Sequence, residues 1–235
     1  MYSVFSRYYE EIFPPGPAQL AFLREVARET KARSLLDAGC AAGGYARAAA
    51  GWGMDVTGID LDPDMIREAQ SRGPAAVKFM VADLTALPFA GGAFDMVICL
   101  GNTLAHLLDV HALDKALAGF RRVLSEGGAL VFQLVNYHRV RAEPEFSFPV
   151  LTSASGNVTF QRRYYLGDDG LYDFVTSLQV GGESFESVFP LRPWRREDFE
   201  LALQTAGFAR WDFFGDFARH PYGPDSPALV VRAVA

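Results

Sequence analysis

The amino-acid sequence predicts an α/β protein with a doubly wound, mostly parallel seven-stranded sheet and an inserted antiparallel β cap. Short apolar runs alternate with helical patterns through the first 135 residues, which is the order of a parallel sheet with crossover helices. The run 94–100 is apolar almost throughout, as in a strand whose two faces are both covered. From about residue 137 to 193, short alternating runs separated by turn residues replace this order and predict the cap.

The core is predicted to begin with N-terminal helices and to continue as strands and helices in turn. Asp62-Pro63 opens a helix because proline fits a first turn, and Gly127-Gly128 and Gly207 end two others. The predicted helices are 19–29, 45–51, 62–70, 107–124 and 194–206. The predicted core strands are 34–36, 54–59, 77–82, 94–100, 129–135, 208–214 and 228–234.

The cap contains three longer alternating runs, residues 158–166, 172–180 and 184–189. About half of the many aromatic side chains in this insertion should face inward, and the rest are expected to wall a substrate pocket. Arg162 and Arg163 are adjacent in a strand and point to opposite faces, so at most one of them reaches a bound carboxylate. The alternative is that both are solvated surface residues.

The composition excludes several classes of protein. Asp and Glu number 28 against 22 Lys and Arg, a net charge of −6, which disfavours a nucleic-acid partner because phosphates bind clustered positive charge. Cys40 and Cys99 are too few for a disulfide framework or a four-ligand zinc site, and both lie in apolar runs. No apolar stretch approaches the roughly 20 residues that span a bilayer, and no secretory pattern is visible. We therefore expect a cytoplasmic protein with no membrane association and no metal.

Three carboxylates stand at the ends of predicted strands: Asp37, Asp60 and Asp83. In an open parallel sheet, ligands bind outside the carboxyl ends of the strands, at the crevice where the strand order reverses. Asp60, at the end of the second strand, can accept both hydroxyls of a ribose. Asp83, at the end of the third, can accept from an exocyclic amine such as that of adenine.

A glycine-rich loop, DAGCAAGG, begins at Asp37 and leads into the next helix. Glycine allows the backbone to turn tightly and a ligand to approach closely, and the following helix begins beneath that ligand. The loop is informative through its position, directly after a strand and before a helix, with Asp60 following it. The loop and the three carboxylates together indicate a ligand that contains a nucleoside.

Four blocks of sequence carry a resemblance to a known family: LLDAGCAAGG, VTGIDLDPDMIREAQ, VKFMVADLTALPF and FDMVICLGNTLAHL. Their order and spacing resemble the successive motifs of Rossmann-fold (class I) S-adenosylmethionine (SAM)-dependent methyltransferases over residues 30–135. The C-terminal EDFELALQTAGF, followed by two strands, is similar to the ending of that family. LGNTLAHL and the inserted strands resemble its small-molecule type, the glycine/sarcosine and amino-sugar N-methyltransferases.

The resemblance implies SAM as cofactor, S-adenosylhomocysteine as product, and methyl transfer to an N (or O) atom of a small-molecule acceptor. Residues 1–136 would hold the N-terminal helices and the SAM-binding core, 137–193 the substrate cap, and 194–235 the helix and two strands that complete the sheet. The implied cofactor-binding residues are Asp37, Gly39, Cys40, Ala41 and Gly43 in the loop, Asp60 at the ribose, Leu61 on the adenine, Asp83 and Leu84 at the adenine edge, and Leu100 near the methionine. Ala41 departs from the family, which usually has glycine there.

Methyl transfer is an in-line displacement, so the protein must align the nucleophile and exclude water. An amine or phenol must also arrive deprotonated, which calls for a general base. His106 is the first catalytic candidate because it is predicted to begin the helix after the fourth strand; the alternative is that it satisfies backbone groups. The resemblance implies that Asn102 lies close to the transfer path. The remaining candidate bases are Tyr137, His138 and His220.

Three other functions stay open. A nicotinamide-dependent oxidoreductase would need glycine where Ala41 stands between Gly39 and Gly44. A non-catalytic SAM-binding module would keep the same cofactor residues without a productive acceptor pocket. Nucleic-acid methylation is disfavoured by the acidic balance and by the lack of an Asn/Asp-Pro-Pro-aromatic motif.

The N-terminal segment contains three tyrosines, Tyr2, Tyr8 and Tyr9. They are expected either to form a lid over the site or to pack against the first helix. The sequence does not predict an oligomeric state.

Overall fold

The computed structural model describes residues 2–74, 76–140 and 145–235, without the side chains of Tyr2 and Ser3. Within these residues the chain forms two β-sheets. The strands in chain order are β1 (Ser34–Ala38), β2 (Asp55–Asp60), β3 (Lys78–Val81), β4 (Phe94–Cys99), β5 (Leu124–Val135), β6 (Glu145–Ser147), β7 (Leu151–Thr152), β8 (Val158–Leu166), β9 (Tyr172–Val180), β10 (Glu183–Leu191), β11 (Arg210–Phe214) and β12 (Ala228–Val234). The helices are α1 (Tyr2–Ile12), α2 (Pro17–Glu29), α3 (Gly44–Ala50), α4 (Pro63–Arg72), α5 (Val110–Val123), α6 (Tyr137–Val140) and α7 (Arg196–Ala206).

The seven-stranded sheet has the order β11-β12-β5-β4-β1-β2-β3, which confirms the predicted doubly wound core. Strands β1 to β5 run parallel to their neighbours within the sheet, and β12 pairs antiparallel with both β5 and β11. From β1 the chain winds outward through β2 and β3, and then returns to the other side of β1 at β4. The strand order therefore reverses between β1 and β4, and their carboxyl ends frame the predicted ligand crevice.

Helices cover both faces of this sheet because each carries an apolar stripe. On one face, α2, α3 and α4 pack with Val56 and Met96 in a single apolar cluster. On the other face, α5 and α7 pack around Phe132, whose ring lies 4.8 Å from that of Phe199 between centroids. Strand β4 is buried nearly along its whole length, which explains its apolar sequence. No helix in the described part of the chain is long and apolar enough to cross a bilayer.

The helix predicted over 107–124 begins later than expected. It starts at Val110, because the Asp109 side chain accepts a hydrogen bond of 2.8 Å from the backbone of the first turn and caps the helix. His106 therefore does not begin that helix. It ends a separate 3-10 turn, Thr103–His106, that follows β4.

Two other boundaries differ from the sequence prediction. Helix α7 begins at Arg196 because Trp194 is buried and its indole nitrogen donates to two backbone carbonyl groups of the segment before α5. Strand β5 begins at Leu124 because the pairing with β4 continues across an irregularity in register. Gly127, with φ of +73°, lies in that irregularity. The pair Gly127-Gly128, predicted to end a helix, therefore lies within β5 and allows a bulge there.

The smaller sheet has the order β10-β9-β8-β6, with β7 also paired to β8, and confirms the predicted antiparallel cap. Gly181 and Gly182 join β9 to β10 with φ of +61° and +82°, as a two-residue hairpin turn requires. Strands β6 and β7 have three and two residues, too short to show alternation, so the sequence did not predict them. The division of the chain at 136/137 and 193/194 into functional units stays a prediction.

Helix α1 packs between the cap sheet and the helices α3 and α4 of the core. Ile12 packs with Phe160 in an apolar cluster of the cap. Glu10 forms ion pairs with Arg47 of α3 and Arg72 of α4. The helix is therefore held to the cap by apolar contacts and to the core by charges.

Candidate functional site

A cavity of about 660 Å³ opens where the carboxyl ends of β1 and β4 meet the cap and α1. Seven predicted site residues line it, all from the end of β1, the glycine loop or the segment after β4: Asp37, Gly39, Cys40, Ala41, Leu100, Asn102 and His106. The other five do not belong to its lining: Gly43, Asp60, Leu61, Asp83 and Leu84. The structure thus brings together the residues predicted for the methionine end, except Gly43, and leaves those predicted for the adenosine end outside the lining.

Asp37 is a buried side chain in the cavity wall with an unused acceptor. It is 3% exposed, and its Oδ2 has no hydrogen-bond partner among the described residues. Burial, reinforced by the negative charge of Asp60, raises the pKa of Asp37 to about 7. A buried oxygen without a donor is unfavourable, so this position fits a ligand group that brings a positive charge or a hydrogen-bond donor.

The glycine loop depends on left-handed backbone conformations. Gly39 and Gly43 both have φ of +82°, and a Cβ on Gly39 would lie 2.6 Å from Cγ2 of Thr103. Ala41 has φ of +47° although it carries a methyl group. The loop therefore holds a small strain at the position where the resemblance expects glycine.

Asp60 fixes the loop from the end of β2. Its Oδ2 accepts a hydrogen bond of 2.9 Å from the Ala41 backbone, and its Oδ1 accepts one of 3.0 Å from the Asp62 backbone. Each carboxylate oxygen keeps a second lone pair, so the group can still accept hydroxyl donors. Leu61 beside it is 69% exposed and offers an apolar surface next to that carboxylate.

Asp83 and Leu84 follow β3, which pairs with β2, so they lie on the same sheet edge as Asp60. Asp83 is exposed, and its Oδ1 accepts from both the backbone nitrogen and the hydroxyl of Thr85 at 2.8 Å. Leu84 packs partly against the core. The edge therefore presents a second carboxylate beyond the ribose position.

Asn102 connects the core to the cap. Its Nδ2 donates to the hydroxyls of Tyr137 and Tyr164 at 2.9 and 3.2 Å, and its Oδ1 accepts from the Val135 backbone at 3.0 Å. With both ends of the amide occupied, Asn102 holds these tyrosines in place and has little capacity left to exchange a proton.

His106 lies in the cavity wall where the core meets β10. Its ring packs edge-on against Phe189, with 6.2 Å between ring centroids. The imidazole is exposed to the cavity but surrounded by protein, and this burial lowers the pKa of His106 below its ordinary value. The neutral imidazole therefore predominates at pH 7, and it has the lone pair that a general base needs.

The other candidate bases lie elsewhere or keep their protons. His138 is exposed and does not line the cavity. His220 is also outside the lining, with its Nδ1 2.7 Å from Asp216 Oδ2. The Tyr137 hydroxyl is engaged with Asn102, and burial raises the pKa of Tyr137 well above its ordinary value. His106 is thus the candidate base that the cavity presents.

Helix α1 contributes lining residues that the sequence analysis did not assign to the site. Phe5, Tyr9 and Phe13 all line the cavity, and their spacing of four residues is the helical stripe that signals them. Of the predicted lid tyrosines, Tyr9 reaches the cavity and Tyr8 packs against the cap cluster. The side chain of Tyr2 lies outside the described residues.

Strand β5 contributes a second unassigned residue, Gln133. It lines the cavity, and its Oε1 accepts a hydrogen bond of 3.2 Å from the Gly101 backbone. The sequence signal for Gln133 was its position as a polar residue inside the apolar run 129–135. A buried polar side chain is unfavourable unless it is hydrogen-bonded, so such a residue indicates a specific contact.

The cap supplies the rest of the lining. Of the adjacent pair Arg162 and Arg163, Arg162 lines the cavity, whereas the Arg163 guanidinium lies 5.8 Å from the Tyr165 ring centroid and outside the lining. The phenylalanine rings of this lining come from α1, from the residue after α1 and from the cap side. We name these seven rings the phenylalanine wall: Phe5, Phe13, Phe148, Phe160, Phe174, Phe185 and Phe189.

Comparisons with known proteins agree with this arrangement. A family profile described as a methyltransferase domain matches residues 35–128. A glycine/sarcosine N-methyltransferase from Parasynechococcus marenigrum (strain WH8102) is 30% identical over 218 residues, covering 87% of this chain and 73% of the relative. A glycine/sarcosine/dimethylglycine N-methyltransferase from Actinopolyspora halophila is 28% identical over 217 residues, which are 90% of this chain; the match spans only 37% of that longer relative.

Solved structures show the same fold. An S-adenosylmethionine-dependent methyltransferase from Clostridium acetobutylicum ATCC 824 superposes with a TM-score of 0.82 at 17% identity. The match covers 99% of this chain and 98% of the other. Core and cap sheets therefore both fall within the aligned length.

Proposed function

We propose, from the premise that this chain belongs to the class I SAM-dependent methyltransferases, that it methylates the nitrogen of a small-molecule amine. The observation that carries the proposal is one continuous cavity, in which Asp37 and the glycine loop form one side and the aromatic cap forms the other. His106 stands where the two sides meet. In this proposal the insertion 137–193 supplies much of the acceptor half of the site.

The residues present fit SAM. The unpartnered, buried Oδ2 of Asp37 matches the cationic methionine end, where the ammonium group would supply the missing donor. Asp60 would accept the ribose hydroxyls, Leu61 would cover the adenine, and Asp83 with Leu84 would meet its edge. When bound, SAM would supply a sulfonium-bound methyl group whose carbon the lone pair of the acceptor nitrogen can attack, with the sulfur of S-adenosylhomocysteine as the leaving group. Gly39, Cys40, Ala41, Gly43 and Leu100 would shape the space around the methionine end.

His106 would prepare the acceptor. Aliphatic amines are protonated at neutral pH and have no lone pair in that form, so one proton must leave the nitrogen before attack. Neutral His106 would accept that proton, and the Phe189 ring that packs against the imidazole would shield one side of it from water. Asn102 acts indirectly, by holding Tyr137 and Tyr164 at the junction of core and cap.

The test is a turnover assay of the purified protein with isotope-labelled SAM and a panel of amines and phenols. We expect a methylated amine and an equal amount of S-adenosylhomocysteine. Methylation of phenols alone would move the acceptor atom to oxygen. SAM binding without turnover of any acceptor would favour the non-catalytic module.

The role of His106 is tested separately once an acceptor is known. His106→Ala should lower kcat by about 100-fold or more with unchanged SAM affinity, because general-base catalysis contributes on that order. His111→Ala, on the exposed side of α5, is the matched control and should keep full activity. The kcat of the unmodified protein should also fall at acid pH, once His106 is protonated. A variant with intact kcat would remove His106 from the mechanism.

A further inference from the structure

Arg162 is a cation without an ionic partner among the described residues. Its guanidinium carbon lies 4.8 Å from the ring centroid of Phe148 and 5.4 Å from that of Phe13. Its Nε is inaccessible to solvent and has no hydrogen-bond partner among the described residues. None of the ion pairs that the structure describes includes Arg162. The side chain thus contributes positive charge to the cavity, and the contacts that the structure describes for its guanidinium are with aromatic faces.

Two carboxylates line the cavity among the described residues, and neither forms an ion pair with Arg162. Glu10 also lines the cavity, but it pairs with Arg47 and Arg72 on the core side. Asp37 belongs to β1, in the other sheet. A half-buried guanidinium with an unused donor is unfavourable, and the burial lowers the pKa of Arg162 from its ordinary value. The cavity therefore favours a ligand that brings one oxyanion to this residue.

The geometry favours a carboxylate over a phosphate. Rings that lie over a guanidinium leave its edge for hydrogen bonds, and that edge is a planar fork matched to two oxygens in one plane. Arg162 is the sole Arg or Lys among the described residues that line the cavity. One positive charge neutralises a carboxylate, whereas a phosphate dianion would leave excess negative charge among aromatic side chains.

The phenylalanine wall defines the rest of the ligand. Its seven rings line the cavity together with Leu151 and Leu178. A ligand as small as an amino acid without a side chain would leave most of this apolar surface uncovered. Covering it releases water from apolar area, which is the main source of affinity in such pockets.

We propose that the acceptor is an amphipathic amine with one carboxylate, bound by Arg162, and an apolar body of aromatic size, held by the phenylalanine wall. Only the identification of this ligand as the methyl acceptor rests on the proposed amine methylation. The binding of the carboxylate and of the apolar body is independent of that reaction. It makes Arg162 a residue that determines specificity.

The test measures binding of four probes to the protein saturated with S-adenosylhomocysteine, by calorimetry or ligand-observed NMR. The probes are 3-phenylpropanoate, its uncharged amide, acetate and 2-phenylethyl phosphate. We expect 3-phenylpropanoate to bind at least about tenfold more tightly than the amide, because a charge-assisted fork is lost, and than acetate, because the ring is lost. Equal affinity of the amide, stronger binding of the phosphate or no binding of 3-phenylpropanoate would each overturn the proposal.

Variants locate the effect. Arg162→Gln should abolish the preference for 3-phenylpropanoate over its amide, and Arg162→Lys should keep part of it. Arg163→Gln, one residue along the same strand but outside the cavity, should change nothing. S-adenosylhomocysteine affinity and thermal unfolding report whether each variant is folded. A preference that survives in folded Arg162→Gln would assign the anion to another residue.

Turnover separates this inference from the proposed function. If 3-phenylpropanoate binds through Arg162 but no amine is methylated, the anion site stands and amine methylation fails. If amines are methylated with no preference for a carboxylate, the reaction stands and the assignment of Arg162 fails. In the expected case, Arg162→Gln raises KM for a phenyl-bearing amino acid at least about tenfold with little change in kcat.

Discussion

The two sides of the cavity are built in opposite ways. The core side consists of backbone turns and carboxylates, with Asp37 buried and Asp60 bonded to the loop. The cap side consists of the phenylalanine wall with a single cation among the described residues, Arg162. In our proposal, the first side recognises charge and hydrogen-bond donors at fixed points, and the second recognises shape and apolar area.

This contrast predicts different responses to substitution. Charge recognition depends on single atoms, so one carboxylate that is removed or protonated should weaken cofactor binding strongly. Apolar recognition is spread over several rings, so single changes in the cap should have smaller effects and should leave the cofactor untouched. Four measurements test that contrast, beginning with the largest expected effect.

Asp60→Ala should weaken SAM binding by about 100-fold, because hydrogen bonds to a charged group contribute about 1.5–3 kcal/mol. The same change also frees the Ala41 backbone and loosens the loop. Calorimetric titration with SAM gives the affinity. Asp55→Ala is the matched control, since Asp55 begins the same strand at its exposed end, and should bind SAM normally. Unchanged affinity in Asp60→Ala would place the ribose elsewhere.

SAM affinity should depend on pH through Asp37. Burial raises the pKa of Asp37 to about 7 in the free protein, and cationic SAM binds the ionised form. Affinity is therefore highest above pH 7 and falls by about tenfold for each pH unit below it. Titrations at several pH values in this range give the slope. Asp37→Asn should bind more weakly and lose the slope; a slope that persists would move the titration to Asp60, whose pKa burial also raises.

Tyr164→Phe tests the junction of core and cap. It removes one hydroxyl that Asn102 contacts, while Tyr137 still accepts from the same amide. We expect a loss of about 1 kcal/mol in the free energy of unfolding, the usual value of one hydrogen bond, with unchanged SAM affinity. Tyr165→Phe, the next residue and outside the cavity, is the control for denaturant unfolding. A large loss of SAM affinity in Tyr164→Phe would contradict the separation of the two sides.

Ala41→Gly should have the smallest effect. It relieves a left-handed conformation that costs a non-glycine residue about 1 kcal/mol, but glycine gains nearly as much entropy in the unfolded chain. The free energy of unfolding should therefore change by less than about 1 kcal/mol. Ala42→Gly, at a buried neighbour without positive φ, should be clearly destabilising in the same denaturant titration. Strong destabilisation by Ala41→Gly would show that its methyl group packs usefully.

The core side was predictable because its signals are local. A strand, a glycine turn and an acidic residue within a short segment determine where Asp37 and the loop lie, and two further strand ends place Asp60 and Asp83 on one edge. His106 was correctly expected near the crevice, but its place in a 3-10 turn was not predicted. Helix α5 starts later than predicted because Asp109 caps it. Several polar residues near this helix start could act as the cap, and hydrophobic periodicity does not show which of them does.

The cap side was only partly predictable. Alternation in β8 showed that Arg162 and Arg163 face opposite ways, but it did not show which of them faces the cavity. The contribution of α1 was not predicted, because Phe5 and Tyr9 reach the site only when the helix packs between the cap and the core. Such contacts join residues that are far apart in the chain, and a single sequence does not show which distant residues contact each other.

By itself, the sequence determined the doubly wound core, the antiparallel cap and the carboxylates at the strand ends, because hydrophobic period and turn chemistry act over a few residues. The tertiary structure alone decided that Asp37 keeps an oxygen without a partner among the described residues, that the protein around His106 lowers its pKa and that the Arg162 guanidinium packs on aromatic rings. Each of these is a matter of desolvation. Desolvation depends on which distant elements pack together, and it gives ordinary side chains their chemical roles.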